Sequence, residues 1–209
     1  AKNKNVISVT STVSQEGKSF TLMSLAASLS LLEKKVIILD LDMRKPKVHR
    51  YFDDDNLELG ISHYLLLKAD AKQIIKKSNF PNLDYITSGI LPPNPMELIQ
   101  GGRLEELIVD LKQHYDYILI DNPPIGIIAD AISVMTISDI NLYVIRADYS
   151  KISFLETAIK ARDKHELKNL YFVFYGTKKV GGNYYGNYSQ GYYTEDYNLP
   201  WWKKWFSNT

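Results

Sequence analysis

The chain has 209 residues, a net charge of +1, 45% hydrophobic and 23% charged residues, the make-up of one globular domain of ordinary size. That balance gives no global attraction to nucleic acid or acidic lipid, and the absence of cysteine excludes disulfides, thiol nucleophiles and thiolate-held zinc while suiting a reducing compartment. No apolar run reaches the ~20 residues of a membrane-spanning helix, and His49, His63, His114 and His165 fit no metal-ligand spacing.

Ala1–Asn5 lacks a signal-peptide pattern and leads directly into a strand at Val6–Val9. A chain without an initiating methionine that enters its core so early reads as a piece of a longer protein. Thr10-Ser-Thr-Val-Ser-Gln-Glu-Gly-Lys-Ser19 follows, opening an apolar-striped helix over Lys18–Leu32. Val36–Asp40 and Leu83–Thr87 read as buried strands. Met96–Ile99 and Arg103–His114 read as two helices broken at Gly101-Gly102. Then come a strand at Tyr117–Asp121, a helix at Ala129–Ile137, a strand at Leu142–Arg146, a helix at Phe154–His165 and a strand at Leu170–Phe174. Strands alternating with helices imply an α/β fold, a mostly parallel sheet covered by helices on both faces.

From about Val180 the periodicity stops. Residues 180–209 carry Tyr184, Tyr185, Tyr188, Tyr192, Tyr193 and Tyr197 among glycines and polar residues, and end in Pro200-Trp-Trp-Lys-Lys-Trp-Phe206. Such a segment does not bury enough surface to offset its ordering entropy, so the expected division is a folded domain over residues 1–179 and a mobile tyrosine-rich tail. The tail reads as a substrate, as an aromatic linker or as an edge packed on the domain. Trp201–Phe206 reads as a packed or untethered end, or as a membrane-interface segment.

Strand, loop and helix in that order are the context that gives Gly17-Lys18-Ser19 meaning; otherwise the tripeptide is an accident at a helix start. In that context the loop amides and the positive helix end surround phosphates, Lys18 adds a point charge, and the Ser19 hydroxyl is a Mg²⁺ ligand. Thr12 stands where the usual pattern has glycine. Asp121 ends one strand at the position that supports Mg²⁺ in P-loop proteins, and Asp40 and Asp42 end another. A strand-end aspartate alone is as readily a helix cap, but the ends of parallel strands share one crevice, so three there make a site.

Leu39-Asp-Leu-Asp-Met-Arg-Lys-Pro46 resembles the Walker A′ motif of bacterial tyrosine kinases, cytoplasmic P-loop autokinases of capsule and exopolysaccharide export. Gly60-Ile-Ser62, Ser88–Leu98 with its Pro92-Pro-Asn-Pro-Met-Glu-Leu98, Tyr115–Pro124 and the tyrosine cluster extend the resemblance over Val6 to Tyr197. It implies ATP and Mg²⁺ as cofactors, bound by the loop from Gln15, Glu16, Gly17, Lys18 and Ser19 to Phe20, with Ser19, Asp42 and Asp121 serving the metal. Asp40 would activate the incoming tyrosine hydroxyl, with Asp42 and Lys18 beside it. The six tail tyrosines would be autophosphorylation sites, presented to neighbouring subunits of a ring-like homo-oligomer. A transmembrane activator domain, fused upstream or separate, a phosphotyrosine phosphatase and a place at the inner face of the plasma membrane complete what the family implies; no nucleic acid is involved.

The chain departs from the family in four ways. Gln15 replaces the first glycine of Gly-x-Gly-Lys, where a positive φ would strain the loop. Phe172–Thr177 lies where related ATPases carry an adenine-reading asparagine. The Glu-x-x-Arg-x-x-Arg helix of the ring has no match and would lie upstream of Ala1, and the activator segment is absent. Phosphates on six tyrosines would add roughly −9 to −12 charge, enough to dissociate an oligomer assembled through unmodified tails. Two other functions compete: an ATP-switch ATPase of the partition or septum-positioning kind, against which stand Val13 in place of its signature lysine and the tyrosine tail that it lacks, and a catalytically weak nucleotide-binding module, which Gln15 suits.

Overall fold

The computed structural model describes residues 5–125 and 130–177. Seven strands form one sheet in the order β3-β4-β2-β5-β1-β6-β7: β1 Val6–Ser11, β2 Val36–Asp40, β3 Lys76–Lys77, β4 Leu83–Ile86, β5 Tyr117–Asp121, β6 Ile140–Arg146 and β7 Leu170–Tyr175. All neighbours run parallel except the β3–β4 pair at the edge. The helices are α1 Lys18–Leu31, α2 Ile61–Leu65, α3 Ala71–Ile74, α4 Pro95–Gln100, α5 Arg103–Leu111, α6 Asp130–Ile137 and α7 Ile152–Lys164, with a 3₁₀ turn at Val48–Phe52.

Alternation along each strand sends its side chains into two separate cores. Ile37, Leu39, Ile118 and Ile120 face Ile61, Leu104, Leu107 and Leu111 of α2 and α5. Val36, Ile38, Leu119, Ile7 and Val9 face Leu22, Met23 and Ala26 of α1. Both faces being covered is why these strands read as unbroken apolar runs. The sheet, its direction and the six strands expected from the sequence are present. Gly102, at φ 85°, separates α4 from α5 at the expected break. β6 starts two residues earlier than expected, and α5 stops at Leu111 and not at His114. The short elements α2, α3 and β3 were not expected.

The register sets the site. Val9 of β1 and Asp40 of β2 both lie beside Asp121 of β5, so the loop after β1 and the two carboxylate-bearing strand ends open at one edge of the sheet. The six tail tyrosines and the tryptophan-rich end fall outside the described residues.

Candidate nucleotide and metal site

Lys18, on the first turn of α1, is the centre of charge. Its Nζ donates to Asp121 Oδ1 at 2.6 Å and lies 3.6 Å from Asp42 Oδ2. Ser19 Oγ donates to the other Asp121 oxygen at 2.9 Å. All four residues are buried, Asp121 completely. Asp40, also fully buried, accepts backbone N–H bonds from Lys47 and Val48 at 3.1 Å and from Asp42 at 3.2 Å. These bonds fold the segment after β2 back over its own end, which places Lys47 and Tyr51 at the cleft.

The titration of the cluster follows from counting its charges. Burial, then the neighbouring charge of Asp121, pushes Asp40 up to about 8. Burial also raises Asp42, although Lys18 opposes it. Burial works to lower Lys18, but Asp121 and Asp42 outweigh it and the ammonium is held above its ordinary value. One cation faces three carboxylates, so with all three ionised the cluster carries a surplus of negative charge, which together with burial holds Asp40 and Asp42 toward their protonated forms. A divalent cation fits that surplus. Among the described residues, no three carboxylate or imidazole side chains converge as a self-sufficient metal cage. Two carboxylates and a hydroxyl are what Mg²⁺ takes when phosphates and water complete its shell, and Ser19, Asp42 and Asp121 supply that set.

The loop answers the questions raised by its two missing glycines. Thr12 takes no left-handed backbone; its N–H donates to Glu16 and its hydroxyl is paired with the Tyr143 hydroxyl. Gln15 does sit at positive φ, 72°, and Gly17 follows at 91°. Gly17 is required twice over, since a Cβ there would fall 2.6 Å from a Tyr175 ring carbon. Glu16 is 1% exposed and turned inward, its Oε2 accepting the N–H groups of Thr12 and Val13 at 2.7 and 2.9 Å. Its side chain is a frame for the loop, and only its backbone is available to a ligand.

A cleft of about 220 Å³ lies above the loop, lined by Gln15, Gly17, Lys18, Ser19, Phe20 and Asp42 from the expected set. Glu16, Asp40 and Asp121 do not line it; the two aspartates lie buried and are bonded to Lys18, Ser19 and Lys47, which do. Sequence reasoning missed Lys47, Tyr51, Arg146 and Tyr175, which line it too. Burial and Asp121 push Tyr51 up to about 12. Tyr175 packs on Phe20 with ring centroids 5.2 Å apart, and stands in the segment where related ATPases carry an adenine-reading asparagine. Arg146 and Tyr175 end β6 and β7, so the rule that singled out the aspartates, strand ends next to the loop, would have found them.

A family model described as an AAA domain matches residues 4–169. The chain is 32% identical over 191 residues to tyrosine-protein kinase CpsD of Streptococcus agalactiae, covering 90% of this chain and 83% of that one. It superposes on the kinase domain of Escherichia coli tyrosine kinase ETK with a TM-score of 0.80 at 27% identity, covering 88% of this chain and 73% of that one. The septum site-determining protein MinD complexed with Mg-ADP from Pyrococcus horikoshii gives a TM-score of 0.68 at 24% identity over 84% of this chain and 72% of that one. At that identity the last likeness is one of fold alone.

Proposed function

The chain belongs to the bacterial tyrosine-protein kinases of the AAA-domain class, and from that premise we propose that it transfers the γ-phosphoryl group of ATP, with Mg²⁺, to tyrosines of its own C-terminal segment. The observation that carries this reading is the buried contact of Lys18 and Ser19 with Asp121, set beside Asp40 and Asp42. ATP lies with its phosphates along Gln15–Ser19, and Lys18 moves from its carboxylate partners toward the terminal phosphates. Ser19, Asp42 and Asp121 would hold Mg²⁺, which would supply neutralisation of the phosphate charge. A tyrosine hydroxyl, with an ordinary pKa near 10, is a poor nucleophile at neutral pH. Asp40 receives its proton as the oxygen attacks, and the leaving group is ADP. Most of the rate comes from positioning and charge neutralisation.

Tyr184, Tyr185, Tyr188, Tyr192, Tyr193 and Tyr197 are the acceptors, presented in trans to a neighbouring subunit of a homo-oligomer. Their charge when modified separates the subunits and so regulates polymerisation and export of capsule or exopolysaccharide. A transmembrane activator, fused or separate, brings the domain to the inner face of the membrane, and a phosphotyrosine phosphatase resets it. What supports these tyrosines as acceptors is their place in the sequence shortly after β7, whose end carries Tyr175 at the cleft. Incubation with labelled ATP and Mg²⁺ tests the reading. Phosphotyrosine appears in the wild-type chain and is lost when all six tyrosines become phenylalanine; phosphate release without phosphotyrosine would establish an ATP switch.

A further inference from the structure

The phosphate loop is held from outside by the turn that follows β6. Arg146 Nη1 donates to the Gln15 carbonyl at 2.9 Å, and Tyr149 Oη donates to the Ser14 carbonyl at 3.3 Å. Ser150 Oγ donates to Glu16 Oε1, the oxygen that the loop's own amides leave open, and accepts the Arg146 N–H at 2.9 Å. The guanidinium also lies 5.3 Å from the Tyr149 ring centroid and 6.0 Å from that of Tyr175, within reach of both ring faces. Three successive loop residues, 14 to 16, are thus each tied to one turn.

This matters because Gln15 occupies left-handed backbone. A non-glycine residue there is at a disadvantage, and neighbouring contacts must hold it. We propose that Arg146 is a positioning residue for the phosphate loop, fixing the Gln15 carbonyl so that the loop keeps at residue 15 a backbone shape that glycine would adopt unaided. The inference rests on reading Gln15–Ser19 as the ATP-phosphate loop. It predicts that the importance of Arg146 depends on which residue stands at 15. A guanidinium that met the nucleotide directly would matter equally in both cases.

The test is the dissociation constant for ATP with Mg²⁺, measured by calorimetry on the full 209-residue chain in five forms: wild type, Arg146→Ala, Arg146→Lys, Gln15→Gly, and Gln15→Gly with Arg146→Ala. Arg146→Ala weakens binding about tenfold, the effect of losing one charge-assisted hydrogen bond. Arg146→Lys, which keeps one donor, recovers most of it. In the Gln15→Gly background the alanine substitution costs no more than about twofold. The same loss in both backgrounds, or none in the first, overturns the proposal while leaving the loop's role intact. Failure of the wild-type chain to bind ATP sinks the reading of the loop itself, and the brace with it.

Discussion

Lys18→Met removes the cation on which the buried carboxylates converge, and its cost follows from the geometry. Methionine keeps the length of the side chain, so packing is nearly conserved and the change is one of charge. Asp121, with no exposure, loses the partner at 2.6 Å, and Asp42 loses the one at 3.6 Å. The sign comes from the titration of Lys18, held above its ordinary value despite burial. A folded-state pKa above the unfolded one means that the charged form favours folding. That contribution is complete below about pH 10.5 and is lost only as pH rises through the higher folded value, so all of it is present at neutral pH. Removing one partner of a buried pair costs about 3–5 kcal/mol. Proton uptake by the abandoned carboxylates, two of which already titrate high, brings this to the lower end, about 3 kcal/mol. At about 2–4 °C per kcal/mol for a domain of this size, the melting temperature in metal-free buffer falls by about 6–12 °C. The assay pairs calorimetric melting with a phosphotyrosine immunoblot after incubation with ATP and Mg²⁺. A variant that melts at or above the wild-type temperature, or that retains phosphotyrosine, would refute the reasoning.

Three further outcomes follow from neighbouring contacts. Asp40→Asn lowers the rate of phosphotyrosine formation about 10²–10⁴-fold, the usual worth of a general base. It also lowers the melting temperature, because an amide NH2 in place of one carboxylate oxygen faces a backbone N–H that this oxygen accepts, that of Asp42 on one side or those of Lys47 and Val48 on the other. Gly17→Ala combines about 1–2 kcal/mol of left-handed strain with a Cβ 2.6 Å from the Tyr175 ring, so ATP affinity measured by calorimetry drops; unchanged affinity would mean that Tyr175 yields freely. Asp54 accepts bonds from Lys76 at 2.7 Å and Tyr85 at 3.0 Å; burial works to raise its pKa, but these bonds and the Asn56 N–H outweigh it and hold it low. A depressed carboxyl stabilises above its unfolded value and stops doing so as pH falls through the folded one. Asp54→Asn therefore costs about 1 kcal/mol at pH 7 in chemical denaturation, and the difference from wild type begins to shrink as pH falls below about 4 and vanishes only below the lower folded-state value.

Sheet and cluster were legible in the sequence for one shared reason. Strands buried on both faces are continuous apolar runs, and in a parallel sheet their ends meet, so Val36–Asp40 and Tyr117–Asp121 announced both the fold and two of its carboxylates. The short elements were not legible. α2 has five residues, α3 four and β3 two, too few to display a period; α2 is held by burial, α3 by the capping box of Asp70 and Gln73, and β3 by its pairing with β4. The inward turn of Glu16 was hidden for another reason. Glutamate at a helix start ordinarily faces solvent or its own first turn, and here it fills the loop and reaches Ser150.

Gln15 shows where sequence reasoning stops. That the position needs positive φ was legible from the loop pattern, and the backbone meets the need at 72°. How a glutamine meets it was not, because the guanidinium responsible is 131 residues further along the chain. A local pattern states the conformation that a loop requires; only the sheet order states what is close enough to enforce it. β1 is flanked by β5 on one side and β6 on the other. Asp121 therefore ends one neighbour and Arg146 the other, each reaching the loop that β1 feeds. The first holds Lys18 and Ser19 by their side chains, the second holds Gln15 by its carbonyl. A phosphate loop without glycine at residue 15 is then as much a property of its two flanking strands as of its own residues.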